Sequence, residues 1–380
     1  MMQCMKYLMI RVFLALLLFA ACRSNDIEPQ KLTYQEILNK YHSQGLPGIV
    51  ALIKKPGEEK WVGAAGFSNV EQATAMSTQS ILYGASVGKL FCAVAILKLV
   101  ESGVIALDDL AHNYLPDDTV ARLPNGHTVT IRQLLSHRSG IPNFDLNLAF
   151  HEDVRNDPFS ITTSDLTAYE FDQAPLFPAG QGHHYSSTGY EVLAQVIDKA
   201  TGLPHQQYYT SAIIEPLGLQ HTFYKDQAGY PNPQGLVKSY FDVDENGTLD
   251  DVSAINNHLT NILTGSDGII ASVEDYDRFL TALFDGKLLP PTLFEQMTTW
   301  NETNDPNYQS GLGLFRGKTP YGFRVGHVGG SLGAGIDVFY FPDSDTTIIT
   351  ATNVGTFIQS SYSDTYKQFY AELLDAVFAQ

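Results

Sequence analysis

Ser86 and Lys89 stand one turn apart in YGASVGKLFCAVAILKLVESG, residues 83–103, a stretch otherwise almost wholly apolar. A serine hydroxyl attacks a carbonyl only when a base takes its proton. A lysine amine serves as that base when burial or neighbouring charge disfavours its ammonium form. On a helix the three-residue spacing puts both side chains on one face. The free N–H groups of a helix start would favour the negative charge that develops during attack. The chemistry this pair suggests is nucleophilic acyl transfer. The same spacing also fits an ordinary buried helix start, and S-x-x-K alone is too short to separate the two.

Two further segments carry reactive residue types. HHYSSTGYEVLAQVIDKATGLP, 183–204, has Tyr185 just before a strongly patterned helix that ends at Gly202. GHVGGSLGAGIDVFY, 326–340, sets His327 and the paired Gly329 and Gly330 beside a strand. Glycines in such a place let backbone approach a ligand closely.

The elements that must position these residues are legible from periodicity and turn signals. LTYQEILNKYHSQG, 32–45, has helical spacing and a glycine stop. Residues 48–70 read as two strands around a Pro-Gly turn, and 83–103 as an apolar helix. From about 104 to 300 the chain is helices and loops. Short strands then separated by turns lead to a closing helix in SSYSDTYKQFYAELLDAVFAQ. Strands at both ends therefore bracket a mainly helical middle. Economical packing joins the ends in one antiparallel sheet and makes the middle a second lobe, an α+β arrangement.

In this order the three motif segments resemble the serine β-lactamase and penicillin-recognising hydrolase superfamily. The branch is the one holding class C β-lactamases, D-alanyl-D-alanine carboxypeptidases and serine esterases. SVGK resembles the family's S-x-x-K, YSS stands where the branch has Y-x-N, and HVGG where it has K-T-G or H-x-G. TIRQLLSHRSGIPNF (130–144), IIEPLGLQHTFY (213–224) and GSDGIIASVEDYDRFLTAL (265–283) are similar to further stretches of that family. The resemblance runs in order from about residue 33 to 375.

The resemblance implies roles. Ser86 would attack a carbonyl and form an acyl-enzyme. Lys89 and Tyr185 would move its proton to the leaving group. The backbone N–H groups of Ser86 and Gly330 would hold the oxyanion. Ser187, His327 and Gly329 would line the substrate site, with His327 able to donate to the substrate or to Tyr185. No metal or organic cofactor is implied. The implied partner is a small molecule or peptide bearing an amide or ester.

Two positions depart from the pattern. Ser187 replaces the usual Asn with a shorter group that has one donor instead of two. His327 replaces the lysine typical of β-lactamases. An unperturbed imidazole titrates around pH 6.5, so a partial charge is expected near neutrality. Both changes point away from efficient β-lactam hydrolysis and towards a peptidase or esterase. A true β-lactamase is one alternative. A non-catalytic protein that keeps the fold to bind cell-wall peptide is another.

Composition bounds the rest. The chain has 380 residues, 44% hydrophobic, and a formal net charge of -18. It is large enough for a substantial core, and its acidity excludes nucleic acid or an anionic membrane surface as natural partners. Lys6 and Arg11 precede the apolar run VFLALLLFAA, which is too short to span a bilayer as a mature helix. LFAAC resembles a bacterial lipobox, so residues 1–21 read as a lipoprotein signal and Cys22 as the lipidated first residue, with 22–31 as a tether. The expected location is exported, in the periplasm or anchored to the outer membrane, with contact to the bilayer through the lipid only. The hydrolase domain then runs over 32–380, its sheet lobe about 32–84 and 305–380 and its helical lobe about 104–300. With Cys22 carrying lipid, Cys92 is the one cysteine left with a free thiol in the mature chain, so no intrachain disulfide is expected there. DVDENG, 242–247, begins like a calcium loop, but Ser253 stands where a bidentate Glu is expected, and the segment reads as a hairpin turn.

Overall fold

The two ends of the chain meet in a single sheet. The computed structural model describes residues 32–224, 233–356 and 360–378. The leader, the tether and Cys22 lie outside the described residues. In chain order the main strands are β1 (Gly48–Lys54), β2 (Trp61–Asn69), β3 (Thr74–Ala75), β4 (Asn301–Glu302), β5 (Tyr308–Ser310), β6 (Phe315–Thr319), β7 (Gly322–Ser331), β8 (Ala334–Phe341) and β9 (Thr346–Thr352). Their order across the sheet is β3-β2-β1-β9-β8-β7-β6-β5-β4, and every pairing is antiparallel. β1 and β2 are a hairpin around Pro56-Gly57, with Gly57 at φ +75°. β1 then takes β9 as its other neighbour, with Ala51 opposite Thr350.

The central strands are buried on both faces, which explains their near-continuous apolar runs. In β1, Ile49, Ala51 and Ile53 face one core cluster and Val50 and Leu52 the other. The period-2 alternation thus divides one strand between two cores. On the first side lie helix α1 (Tyr34–Ser43) and a closing helix over 361–378. Ile37, Leu38 and Tyr41 of α1 pack there with Phe369 and Leu373. The helix stops before Gly45, whose φ of +113° ends it as the sequence suggests.

The second side carries the helical middle. Helix α2 (Gly88–Glu101) has no polar stripe, because it is enclosed by the sheet and by neighbouring helices. Its Phe91 ring is fully buried and stacks on Phe279 at 4.1 Å between centroids. Cys92, also on α2, is buried and unpaired.

One local expectation is corrected. The helix does not begin at residue 83. Leu82 and Tyr83 pair with Ala271 and Ile270, and Thr222–Tyr224 adds a third strand to this small sheet. Ser86 lies in a 3₁₀ turn, Ala85–Val87, that leads into α2. Ala85 sits at φ +45°, a conformation the interior of a right-handed helix cannot contain. Runs of two or three strand residues are too short to show a period, so the small sheet left no trace in the sequence. The 242–247 segment does form a hairpin turn, between Tyr240–Phe241 and Asp250–Asp251. The Asp242 carboxylate accepts from the backbone N–H groups of Asn246 and Gly247, at 2.9 and 2.8 Å.

Phe91→Ala should lower unfolding free energy by about 3–5 kcal/mol, because the stacked partner Phe279 cannot fill the space. Urea unfolding measures this. A loss under 1 kcal/mol would show that α2 is packed less tightly than the ring geometry requires.

Candidate active site

Ser86 is delivered by a strained turn wedged between the two sheets. The strand before it is held by Ile269–Ala271, and α2 follows two residues later. The positive φ at Ala85 costs on the order of 1–2 kcal/mol, and the surrounding packing must hold it. β7 presses on this turn. A Cβ on Gly329 would lie 2.3 Å from the Gly84 carbonyl oxygen, so only glycine permits the approach. β6 pairs with β7 only as far as Phe315 opposite Gly326. Residues 327–331 therefore pair with β8 alone, and their other edge is left to the nucleophile turn. Gly330 lies on that stretch and lines the same cavity as Ser86.

Lys89 is fully buried. Its Nζ donates to Ser86 Oγ at 3.1 Å and to the Ser266 carbonyl at 3.0 Å. Nζ also lies 5.0 Å from the centre of the Tyr185 ring and 5.7 Å from that of Tyr190. The Ser266 carbonyl reaches it because Gly88 leaves room: a Cβ there would meet the Asp267 oxygen at 2.2 Å. The loop is clamped from behind by Glu191, buried on helix α4 (Ser187–Thr201; the helix labelled α3, Leu148–Asn156, precedes it). Glu191 accepts from the N–H and hydroxyl of Thr264, the N–H of Gly265, and the N–H and hydroxyl of Ser266. A lone acid on the buried face of an apolar-patterned helix was the signal available for Glu191, and the motif reading missed it. Nothing in the sequence marked Ser266.

Tyr185 precedes the α4 cap. Ser186 Oγ caps the helix by accepting from Gly189 N–H at 3.1 Å and donates to the Pro142 carbonyl at 3.0 Å. His137 holds this corner from the other side. Its ring lies 4.5 Å from the Tyr185 ring, and its Nδ1 accepts the Ser186 N–H at 3.2 Å. Burial, reinforced by Lys89, drives the His137 pKa well below its ordinary value, so it stays neutral and accepts. His137 is a further residue that the motif reading passed over.

Ser86, Lys89, Tyr185, Ser187, His327 and Gly330 all line one cavity of about 650 Å³. Gly329 is buried beneath it, against the nucleophile turn. His183 and His184 are loop residues at the same cavity. Among the described residues no cluster of three or more His, Cys, Asp or Glu is placed to hold a metal.

The two departures from the family pattern behave differently from the expectation. His327 carries no partial charge near neutrality. Burial, with Lys89 adding to it, pushes its pKa down to about 3. Its Nδ1 lies 2.5 Å from the Val328 carbonyl, which can only accept, so Nδ1 bears the proton. Nε2 is left as a buried acceptor with no partner, so in this tautomer it does not donate to a substrate. The Ser187 hydroxyl is also committed. It donates to Asp145 Oδ2 at 2.6 Å, while Ser187 N–H donates to Asn143 Oδ1 at 3.0 Å. Asp145 was not visible as a site residue in the sequence.

The arrangement provides a nucleophile, an amine in contact with it, a phenol alongside, and a strand edge where an oxyanion would form. Comparison with known proteins follows the same line. A family model described as Beta-lactamase matches residues 27–372. The chain is 29% identical over 266 residues to PbpX of Bacillus subtilis (strain 168), a match that covers 70% of this chain and 62% of that relative. It therefore spans less than two thirds of that relative's length. A D-stereospecific amidohydrolase from Streptomyces sp. superposes with a TM-score of 0.76 at 28% identity, over 92% of this chain and 98% of that one. The D-amino acid amidase from Ochrobactrum anthropi SV3, complexed with L-phenylalanine amide, shares the fold with a TM-score of 0.79 at 23% identity, over 90% of this chain and 97% of that one.

The neutral state of His327 has a measurable consequence. Its folded pKa of about 3 lies below the ordinary 6.5, so the unfolded chain binds the extra proton between those values. Stability from this group is therefore lost as pH falls below about 6.5. His327→Gln removes the effect. Relative to the parent, the variant should gain about 2 kcal/mol on going from pH 6.5 to 4.5 in urea unfolding. Parallel losses in both proteins would mean that His327 titrates normally.

Proposed function

The chain belongs to the Beta-lactamase family, and from that premise we propose that it is an exported serine hydrolase that cleaves an amide or ester through an acyl-serine intermediate. The observation that carries the reading is the 3.1 Å contact between Lys89 Nζ and Ser86 Oγ, inside a cavity. Ser86 Oγ attacks the carbonyl carbon. Its proton passes to the basic member of the Lys89 and Tyr185 pair, a neutral amine or a phenolate. The N–H groups of Ser86 and Gly330 hold the tetrahedral oxyanion, and loss of one such donor costs about 3–4 kcal/mol of transition-state stabilisation. The pair returns the proton to the departing nitrogen or oxygen as the bond to carbon breaks. Water then releases the acyl group and regenerates the hydroxyl.

Within this class the site favours a peptidase, amidase or esterase over an efficient β-lactamase. A neutral His327 offers a substrate carboxylate no charge. The Ser187 hydroxyl is taken by Asp145 and does not serve a substrate amide. The structural kinship to the Streptomyces amidohydrolase supports amide cleavage. A purely binding role has less support, because a protein that only binds has no use for a lysine buried against a serine hydroxyl.

Ser86→Ala should abolish covalent labelling by a fluorophosphonate probe, read by intact mass, and hydrolysis of p-nitrophenyl acetate, while circular dichroism and melting stay as in the parent. Parent-rate turnover by the folded variant would exclude Ser86 as nucleophile.

The export reading rests on LFAAC after an apolar run. Expressed in a bacterial host, the full chain should partition into the membrane fraction, and Cys22→Ala should move it to the soluble fraction. Unchanged partition would reject lipid attachment.

A further inference from the structure

The charge balance of the cavity points to a substrate class. Among the described lining residues Lys89 is the one lysine or arginine, and both of its printed contacts are to protein oxygens. Three of the four lining histidines have lowered pKa values: His183 is pushed down to about 4 by burial and by Arg138, His184 is lowered by burial, and His327 falls to about 3, while His151 stands on α3. Against this one lysine stand three aspartates, Asp145, Asp267 and Asp305. Asp305 lies exposed at the rim and binds Asn307. Asp267 is buried, and desolvation raises it to about 7, so it is partly protonated at neutral pH.

Asp145 is the group that calls for a ligand. It lies one hydrogen bond from Ser187, two residues after Tyr185, and so beside the reactive centre. Among the described residues no lysine, arginine or histidine forms a salt bridge with it. Burial raises its pKa, with Lys89 acting in the opposite direction. Asp145 is half-buried and has no salt-bridge partner among the described residues, so a cation that arrives with the substrate would form a charge-assisted hydrogen bond with it. The wall next to it is apolar. Leu146, Phe150 and Val154 come from the α3 side, and Leu259 and Leu263 from the helix α5 (Ser253–Ile262) and the residue after it.

We propose that this site takes amides or esters that carry an ammonium group close to the scissile carbonyl, with Asp145 as its counter-ion and the α3–α5 wall as the seat of an attached apolar side chain. The proposal rests on the acyl-serine reading of Ser86. A substrate with a carboxylate in the same place meets the Asp145 carboxylate instead.

The test compares D- and L-phenylalanine p-nitroanilide with 3-phenylpropionyl p-nitroanilide, which lacks only the ammonium. At least one ammonium enantiomer should be preferred about tenfold or more in kcat/KM, in line with the penalty for leaving a built polar site unfilled. Asp145→Asn should bring that ratio close to one, chiefly through KM. Equal kcat/KM for the two substrate types in the parent, or a ratio untouched by Asp145→Asn, would overturn the proposal. A measurement on the parent stands beside the variant. 2-Phenylethylamine should slow fluorophosphonate labelling of Ser86, and 3-phenylpropionate at the same concentration should not. Equal protection, or protection by the acid alone, also overturns it. If Ser86 labels and p-nitrophenyl acetate is hydrolysed without any ammonium preference, this inference fails and the acyl-serine reading stands. If neither occurs, the acyl-serine reading itself fails.

Discussion

The rest of the site depends on burying the Lys89 side-chain nitrogen in the apolar centre of the protein. A polar group without partners there would be costly. The structure answers with oriented oxygens and with aromatic faces. Ser86 Oγ and the Ser266 carbonyl accept directly, and the rings of Tyr185 and Tyr190 lie within cation–π reach. Each acceptor has to be held in place. Glu191 fixes the Ser266 loop through backbone and hydroxyl donors, and Gly88 lets that loop touch α2. The contact that supports the loop is therefore the same contact that orients the amine on Ser86.

The same requirement explains the strain at Ala85. A regular helix start would leave Ser86 on the helix barrel, away from β7. The positive φ turns the chain so that Ser86 faces the strand edge at 327–331, and Gly329 allows the two backbones to meet. β6 ends its pairing at Gly326, so that edge is open where the nucleophile needs it. The cavity thus lies between a sheet edge and the helical middle because each supplies half of the reacting geometry.

Charge then separates this site from one built for anionic substrates. The surrounding residues keep His327 neutral, and its proton is used internally by the Val328 carbonyl. The Ser187 hydroxyl donates to Asp145. Two substitutions that look independent along the chain act together, since both withdraw donors and positive charge from the ligand. Asp145 adds negative charge to the same space.

Much of this was legible in the sequence. The hairpin at 48–70, the strands of the last third, and the placement of Ser86, Lys89, Tyr185 and His327 in ordered motifs depend on local pattern and turn chemistry, which neighbours in the chain determine. The sequence also showed that α2 is apolar all round, and hence enclosed. It did not show the small sheet that delays the helix start to Gly88, because strands of two or three residues carry no period. Nor did it show the Ser266 carbonyl or the Glu191 clamp, which join residues about 75 to 180 positions apart. The protonation state of His327 and the Ser187–Asp145 bond were likewise decided only in three dimensions. An imidazole's charge is set by how much water folding removes around it, and a hydroxyl's direction by which acceptor the packed chain brings within reach.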